Sequence, residues 1–141
     1  MRFWDTSAVV PLLLREPATS EVAVLFDSDS SMAVWWATPV ELESALARSH
    51  RQRRIDEAGW RQAVRLAREL TDACLEIQPV EAVRRQALRL ARTHPLRAAD
   101  ALQLAAALTW CENRPDGVGL VTLDDRLLTA ATKEGFDVLP R

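Results

Sequence analysis

RFWDTSAVVP, residues 2–11, decides how the chain is read. A short apolar opening stops at Asp5 and resumes at Ala8, which predicts a buried strand running into a helix. The acid between them either caps that helix or serves a site at the end of the strand. Thr6 and Ser7 have capping chemistry too, for a helix expected to reach about Arg15. Pro11 falls past the first helical turn, where it removes a hydrogen bond, so a late start or a kink is expected.

The same alternation continues along the chain. A helix fits 19–26, and MAVWW at 32–36 is short and apolar like an inner parallel strand. Thr38-Pro39-Val40-Glu41 combines an N-cap, a proline at the first helical position and a capping-box glutamate, opening a helix to about Arg53. Asp56 opens another, with Ala63, Leu66, Ala67 and Leu70 at helical spacing. A short strand at 75–78 is followed by helices at about 80–93 and 97–112. GLVTL at 119–123 is the clearest strand. A helix over 126–134 ends at Gly135, and 136–139 form the last strand. Strands alternating with helices predict an α/β fold, with a mainly parallel sheet flanked by helices on both faces. In such sheets the working site lies beyond the carboxyl ends of the strands.

The 141 residues predict one domain, 1–141, and a hydrophobic content of 48% with 27% charged residues is ordinary for a folded globular chain. No apolar run approaches the roughly 20 residues that span a bilayer, and no signal-peptide core follows the N-terminus, so a cytoplasmic protein without membrane attachment is expected. Cys74 and Cys111 are read as buried free thiols. With only two histidines, zinc sites and histidine-based triads are poorly supplied, and any catalysis must rest on carboxylates. The net charge of −2 hides a segregation. Residues 1–47 carry two arginines against seven acids, residues 48–97 twelve against six, and residues 98–141 four basic residues against seven acids.

Four acids fall at the expected edge. Asp5 and Asp124 follow strands, Glu41 begins a helix, and Asp100 shares an otherwise apolar stripe with Leu104 and Leu108. Each has a structural explanation by itself, as a cap or a partner of the helix dipole. Together, without basic partners, they would repel one another, and a hard divalent cation with oxygen ligands resolves that. Mg²⁺ or Mn²⁺ in such a setting suggests phosphoryl chemistry, for which the basic middle third supplies a polyanion surface. His50, Arg51, Arg53 and Arg54 are the candidate contacts to such a polyanion, or else simply a solvated helix end.

At this point the chain resembles the PIN-domain ribonucleases, and among them the VapC toxins of bacterial type II toxin–antitoxin modules. WDTSAVVPLLLREP at 4–17, TPVELESALAR at 38–48, HPLRAADALQLAAAL at 94–108 and LVTLDDRLLTAA at 120–131 carry the resemblance. It implies a three-layer α/β/α sandwich and an Mg²⁺- or Mn²⁺-dependent endoribonuclease. It also implies Asp5, Glu41, Asp100 and Asp124 as catalytic and metal-holding acids. Thr6 and Thr122 match the hydroxyl positions that steady a carboxylate or a metal-bound water, and Asp125 is a peripheral acid or an N-cap. Glu43 competes with Glu41 by spacing, pairs with Arg48 or faces solvent. Metal-activated water is expected to cut RNA and leave 5′-phosphate and 3′-hydroxyl ends. The partners implied are a VapB-like antitoxin whose C-terminal segment blocks the cleft, and a second copy in a homodimer. Trp35, Trp36, Trp60 and Trp110 serve either core or interface.

Two other phosphoryl-transfer families fit less well. A haloacid-dehalogenase-type phosphatase needs an acid where Ser7 stands and a late lysine near the sheet, whereas Lys133 falls inside the last helix. A receiver domain needs paired early acids that are absent. The alternative of another class is a PIN fold kept as a binding or scaffold protein without useful turnover.

Overall fold

The computed structural model describes residues Met1–Arg141. Five strands form one sheet: β1 (Arg2–Trp4), β2 (Met32–Trp35), β3 (Leu75–Ile77), β4 (Gly119–Val121) and β5 (Asp137–Leu139). Their order is β3-β2-β1-β4-β5, and every pairing is parallel. β1 and β2 are joined by α1 (Thr6–Leu13) and α2 (Thr19–Ser28), and β2 and β3 by α3 (Thr38–Arg51) and α4 (Glu57–Asp72). β3 and β4 are joined by α5 (Glu81–Thr93) and α6 (Ala98–Trp110), and β4 and β5 by α7 (Asp125–Glu134).

The period of two along each strand divides the core. Trp4, Met32, Val34 and Val121 face the layer of α1 to α4, while Phe3, Ala33, Trp35 and Leu120 face α5 to α7. α6 is the most deeply set helix, with Ala101 and Gln103 through Leu108 all buried. Its small alanines let it lie close on the sheet. The result is the three-layer α/β/α sandwich. Because the chain winds to one side of β1 and then to the other, the strand order reverses between β1 and β4, where the crevice of a doubly wound sheet opens.

Several local expectations are corrected. Asp5, not Thr6 or Ser7, caps α1, accepting from the Ser7 amide. α1 begins at Thr6 despite Pro11, so no late start occurs; it stops at Leu13, and the Thr19 hydroxyl donates to the Pro11 and Leu14 carbonyls that the short helix leaves open. No capping box forms at α3: Ala37 precedes it with no side-chain cap, and the Glu41 carboxylate is drawn elsewhere. α3 ends at Arg51, and Phe136 lies before β5 rather than in it. Cys74 and Cys111 are half-buried, and they pack on opposite faces of the sheet as free thiols. Among the tryptophans Trp35 is in the core, Trp60 and Trp110 pack against it, and Trp36 is 49% exposed.

Gly135 ends α7 at φ 103°, a left-handed conformation that suits glycine. Just before it, Glu134 takes both Arg89 guanidinium nitrogens, at 3.1 and 2.7 Å, and the buried His94 ring at 2.7 Å, tying α7 to α5. No helix is long and apolar enough to cross a membrane.

Leu104 is fully buried between α6 and the sheet. Leu104→Ala is expected to lower stability by about 2–5 kcal/mol, read as a lower denaturation midpoint at unchanged m-value.

Candidate active site

Asp5 leaves β1 at the reversal point, its amide bonded to the Val121 carbonyl of β4 at 2.9 Å. Its carboxylate is 5% exposed. Oδ2 accepts from the Ser7 amide at 3.2 Å, from the Ser7 hydroxyl, and from the Thr122 hydroxyl at 3.0 Å. Ser7 and Thr122 in turn accept the Leu123 and Asp124 amides at 2.9 and 3.1 Å, so the loop after β4 is laced to the loop after β1. Oδ1 makes no hydrogen bond. Burial, opposed in part by these donors and reinforced by Glu41, pushes the Asp5 pKa up to about 6.

Glu41 lies one turn into α3. Its Oε2 accepts from the Thr6 hydroxyl at 2.7 Å and from the Gln103 amide at 3.1 Å, leaving Oε1 without a partner. Gln103 is 1% exposed and also reaches Thr6 at 3.0 Å and, at 3.5 Å, Thr38. Asp124 caps α7 through Oδ1, which accepts from the Leu127 amide at 2.8 Å. Asp100, in the first turn of α6, has its pKa raised by burial and then by Asp124, with Arg97 and Arg126 pulling the other way. Those two arginines correct the expectation of acids without basic neighbours.

Glu41 thus adds to the rise in the Asp5 pKa and Asp124 to that of Asp100, burial being the larger cause for both. No three ligand-type side chains converge into a ready metal cage. The donor chemistry nevertheless fits a hard divalent cation. The oxygens are carboxylate, burial raises the pKa of Asp5 and of Asp100, and Asp5, Glu41 and Asp124 each hold one oxygen on protein donors and leave the other free.

The remaining candidates are spread more widely. Asp125 opens α7 and is exposed, while its neighbour Asp124 does the capping. Glu43, two residues beyond Glu41 and so on another face of α3, approaches Arg68 of α4 at 3.5 Å instead of Arg48. His50 is taken up by Glu57 at 3.2 Å and by stacking on Trp60 at 4.7 Å. It lies about 14 Å along α3 from Glu41 at the helical rise; Arg51 closes the helix, and Arg53 and Arg54 follow it. Gln103 and Ser7 escaped the sequence-based reading. The available signal for Gln103 was a lone amide, three residues after Asp100, inside the apolar run ALQLAAAL.

The PIN domain family model matches residues 2–133. The chain is 33% identical over 139 residues to Ribonuclease VapC45 of Mycobacterium tuberculosis, covering 98% of this chain and 94% of that one. The solved structure of VapBC-1 from nontypeable Haemophilus influenzae superposes with a TM-score of 0.66 at 16% identity, covering 97% and 96% of the two chains. PAE2754 from Pyrobaculum aerophilum gives 0.62 at 23%, covering 98% and 88%. The chain belongs to the PIN-domain family. Within it, the chain is closely related to the VapC-family toxins of toxin–antitoxin systems, and this kinship supports nuclease chemistry in general.

The raised Asp5 pKa has a consequence for stability. Between about pH 4 and 6 the folded protein retains a proton that the unfolded chain has released, so stability falls as pH rises through that window, by roughly 3 kcal/mol in all. Asp5→Asn, which keeps an oxygen for capping α1, is expected to remove this loss and to be the more stable protein at pH 7 in EDTA. Denaturant titrations at pH 4 and pH 7 measure it.

Proposed function

We propose that the chain is an Mg²⁺- or Mn²⁺-dependent endoribonuclease and the toxin of a type II toxin–antitoxin pair, with Asp5, Glu41, Asp100 and Asp124 holding the cation. One observation carries this. At the end of the strands Asp5, Glu41 and Asp124 each have one carboxylate oxygen tied to protein donors and one free, and Thr122 links the Asp5 carboxylate to the Asp124 amide. The cation, when bound, neutralises the carboxylates and offers a Lewis acid to a phosphodiester.

The chain's own residues do the orienting. Ser7 and Thr122 hold Asp5 from behind, and their links to the Leu123 and Asp124 amides keep the two loops at a fixed separation. Thr6 and Gln103 both donate to one oxygen of Glu41 and so fix the direction of its carboxylate. The Leu127 amide fixes Asp124 in the same way, through Oδ1. Such outer partners are worth about 10- to 100-fold in metal affinity or activity, so they belong to the site although they never touch the substrate. A VapB-like antitoxin, which kinship to VapC45 and the fold shared with VapBC-1 support, and a homodimer complete the proposal. The absence of a ready three-group cage favours the second reading, a PIN fold that binds without turning over.

Labelled RNA incubated with the chain in Mg²⁺ or Mn²⁺ is expected to be cut, leaving 5′-phosphate and 3′-hydroxyl ends, and EDTA is expected to abolish the cutting. Asp100→Ala should lose more than about a hundredfold in rate while keeping its circular dichroism spectrum. Cleavage in EDTA, or 2′,3′-cyclic phosphate ends, would sink the proposal, and metal binding without any cleavage would leave the scaffold reading. Toxicity on expression, relieved by a co-expressed antitoxin, checks the toxin role. Gln103→Leu should lower activity about 10- to 100-fold and weaken Mn²⁺ binding measured by calorimetry.

A further inference from the structure

The seam between α1 and α3 carries arginines that the carboxylate site does not use. Two hollows lie along it. The inner one, about 480 Å³, has Thr6, Ser7 and Glu41 among its walls and also Arg48. The outer one, about 340 Å³, is lined in part by Arg15, Glu16, Ser49 and Arg54. Glu41, Ser44, Ala45 and Arg48 are spaced so that one face of α3 forms the inner floor, and Ser49 carries it into the outer hollow.

Six other arginines of the chain sit within 4.0 Å of a carboxylate. Arg15, Arg48 and Arg54 are among the eleven of seventeen arginines that make no such pair, and all three are exposed. Glu16 shares the outer hollow without closing on either arginine there. Arg48 stands about 10 Å along the helix axis from Glu41. Ser44, Ala45 and Ala99 among the inner walls are small, which leaves room for a sugar–phosphate chain between Glu41 and Arg48.

We propose that a single strand of RNA runs from the carboxylates along the α1–α3 seam, Arg48 taking one backbone phosphate and Arg15 and Arg54 taking those beyond it. The assignment rests on the ribonuclease reading of the same site. A polynucleotide repeats its anion at every residue, so guanidiniums in file engage it successively, each as a fork on phosphate oxygens. These contacts are to the backbone, so they position any sequence equally and add no base preference. The path also explains why His50, on the α4 side of α3 and held by Glu57 and Trp60, is not part of it.

Initial cleavage rates of the full chain in Mg²⁺, on a labelled mixed-sequence single-stranded RNA of about 12 nucleotides, test it across a salt series. Arg48→Ala is expected to raise KM about tenfold with kcat held, because a backbone contact far from the scissile bond binds ground and transition states alike. The slope of log(kcat/KM) against log salt should fall by about 0.7 for Arg48→Ala and by about twice that for the Arg15→Ala/Arg54→Ala double variant. Arg85→Ala, on α5 across the sheet, should match the wild type. Wild-type cleavage with unchanged KM and slope in Arg48→Ala would overturn the path and leave the ribonuclease reading standing. Normal cleavage by the arginine variants with lost inhibition by the antitoxin would overturn it as well, giving the seam to a protein. No cleavage by the wild type in Mg²⁺ or Mn²⁺ would overturn the path together with the ribonuclease reading.

Discussion

A carboxylate is buried where β1 and β4 part company, and the fold around it is arranged to hold it there. Asp5 is 5% exposed, ends the central strand, caps the first helix and accepts donors from Ser7 and Thr122 on both sides of the crevice. An acid in that position costs stability at neutral pH unless it is neutralised. The chain reduces the cost with hydrogen bonds without removing it, which is why the pKa remains raised. The same lacing fixes the loop after β4, and with it Asp124, relative to Asp5.

Glu41 is held by the same logic from the other side. Thr6 follows Asp5 in sequence and donates to Glu41, while Gln103 reaches it from α6 on the opposite layer of the sandwich. One side chain from each of α1, α3 and α6 therefore meets at a single polar knot at the sheet edge. Within it, the Gln103 carbonyl oxygen is buried without a partner. A buried amide so placed stabilises the fold less than an apolar residue would, and it makes sense as a device that orients Glu41.

Charge is distributed along the same lines. Asp5, Glu41, Asp100 and Asp124 stand at strand ends and helix starts, while three arginines line the α1–α3 seam unpaired. In a chain of net charge −2, that separation is a property of the folded surface more than of composition. Arg97 and Arg126 moderate Asp100 and leave its pKa raised.

Period and punctuation in the sequence sufficed for the order of strands and helices, since local propensity and apolar spacing act within a few residues. They placed Asp5, Glu41, Asp100 and Asp124 at strand ends and helix starts, and Gly135 at the end of α7. Sequence distance hides what crosses the sheet. Gln103 meets Glu41 across 62 positions and Thr122 meets Asp5 across 117. The capping box at Thr38 failed for that reason: Glu41 had better donors in Thr6 and Gln103, and no local pattern announces them. Arg48 and Arg54 lie six apart in an arginine-rich stretch, but only the packing of α1 beside α3 brings Arg15 to the same seam. Local spacing thus determined which residues could reach the edge. The tertiary structure decided which oxygens are tied, which are free and where the unpaired guanidiniums line up, because hydrogen bonds and burial depend on neighbours in space.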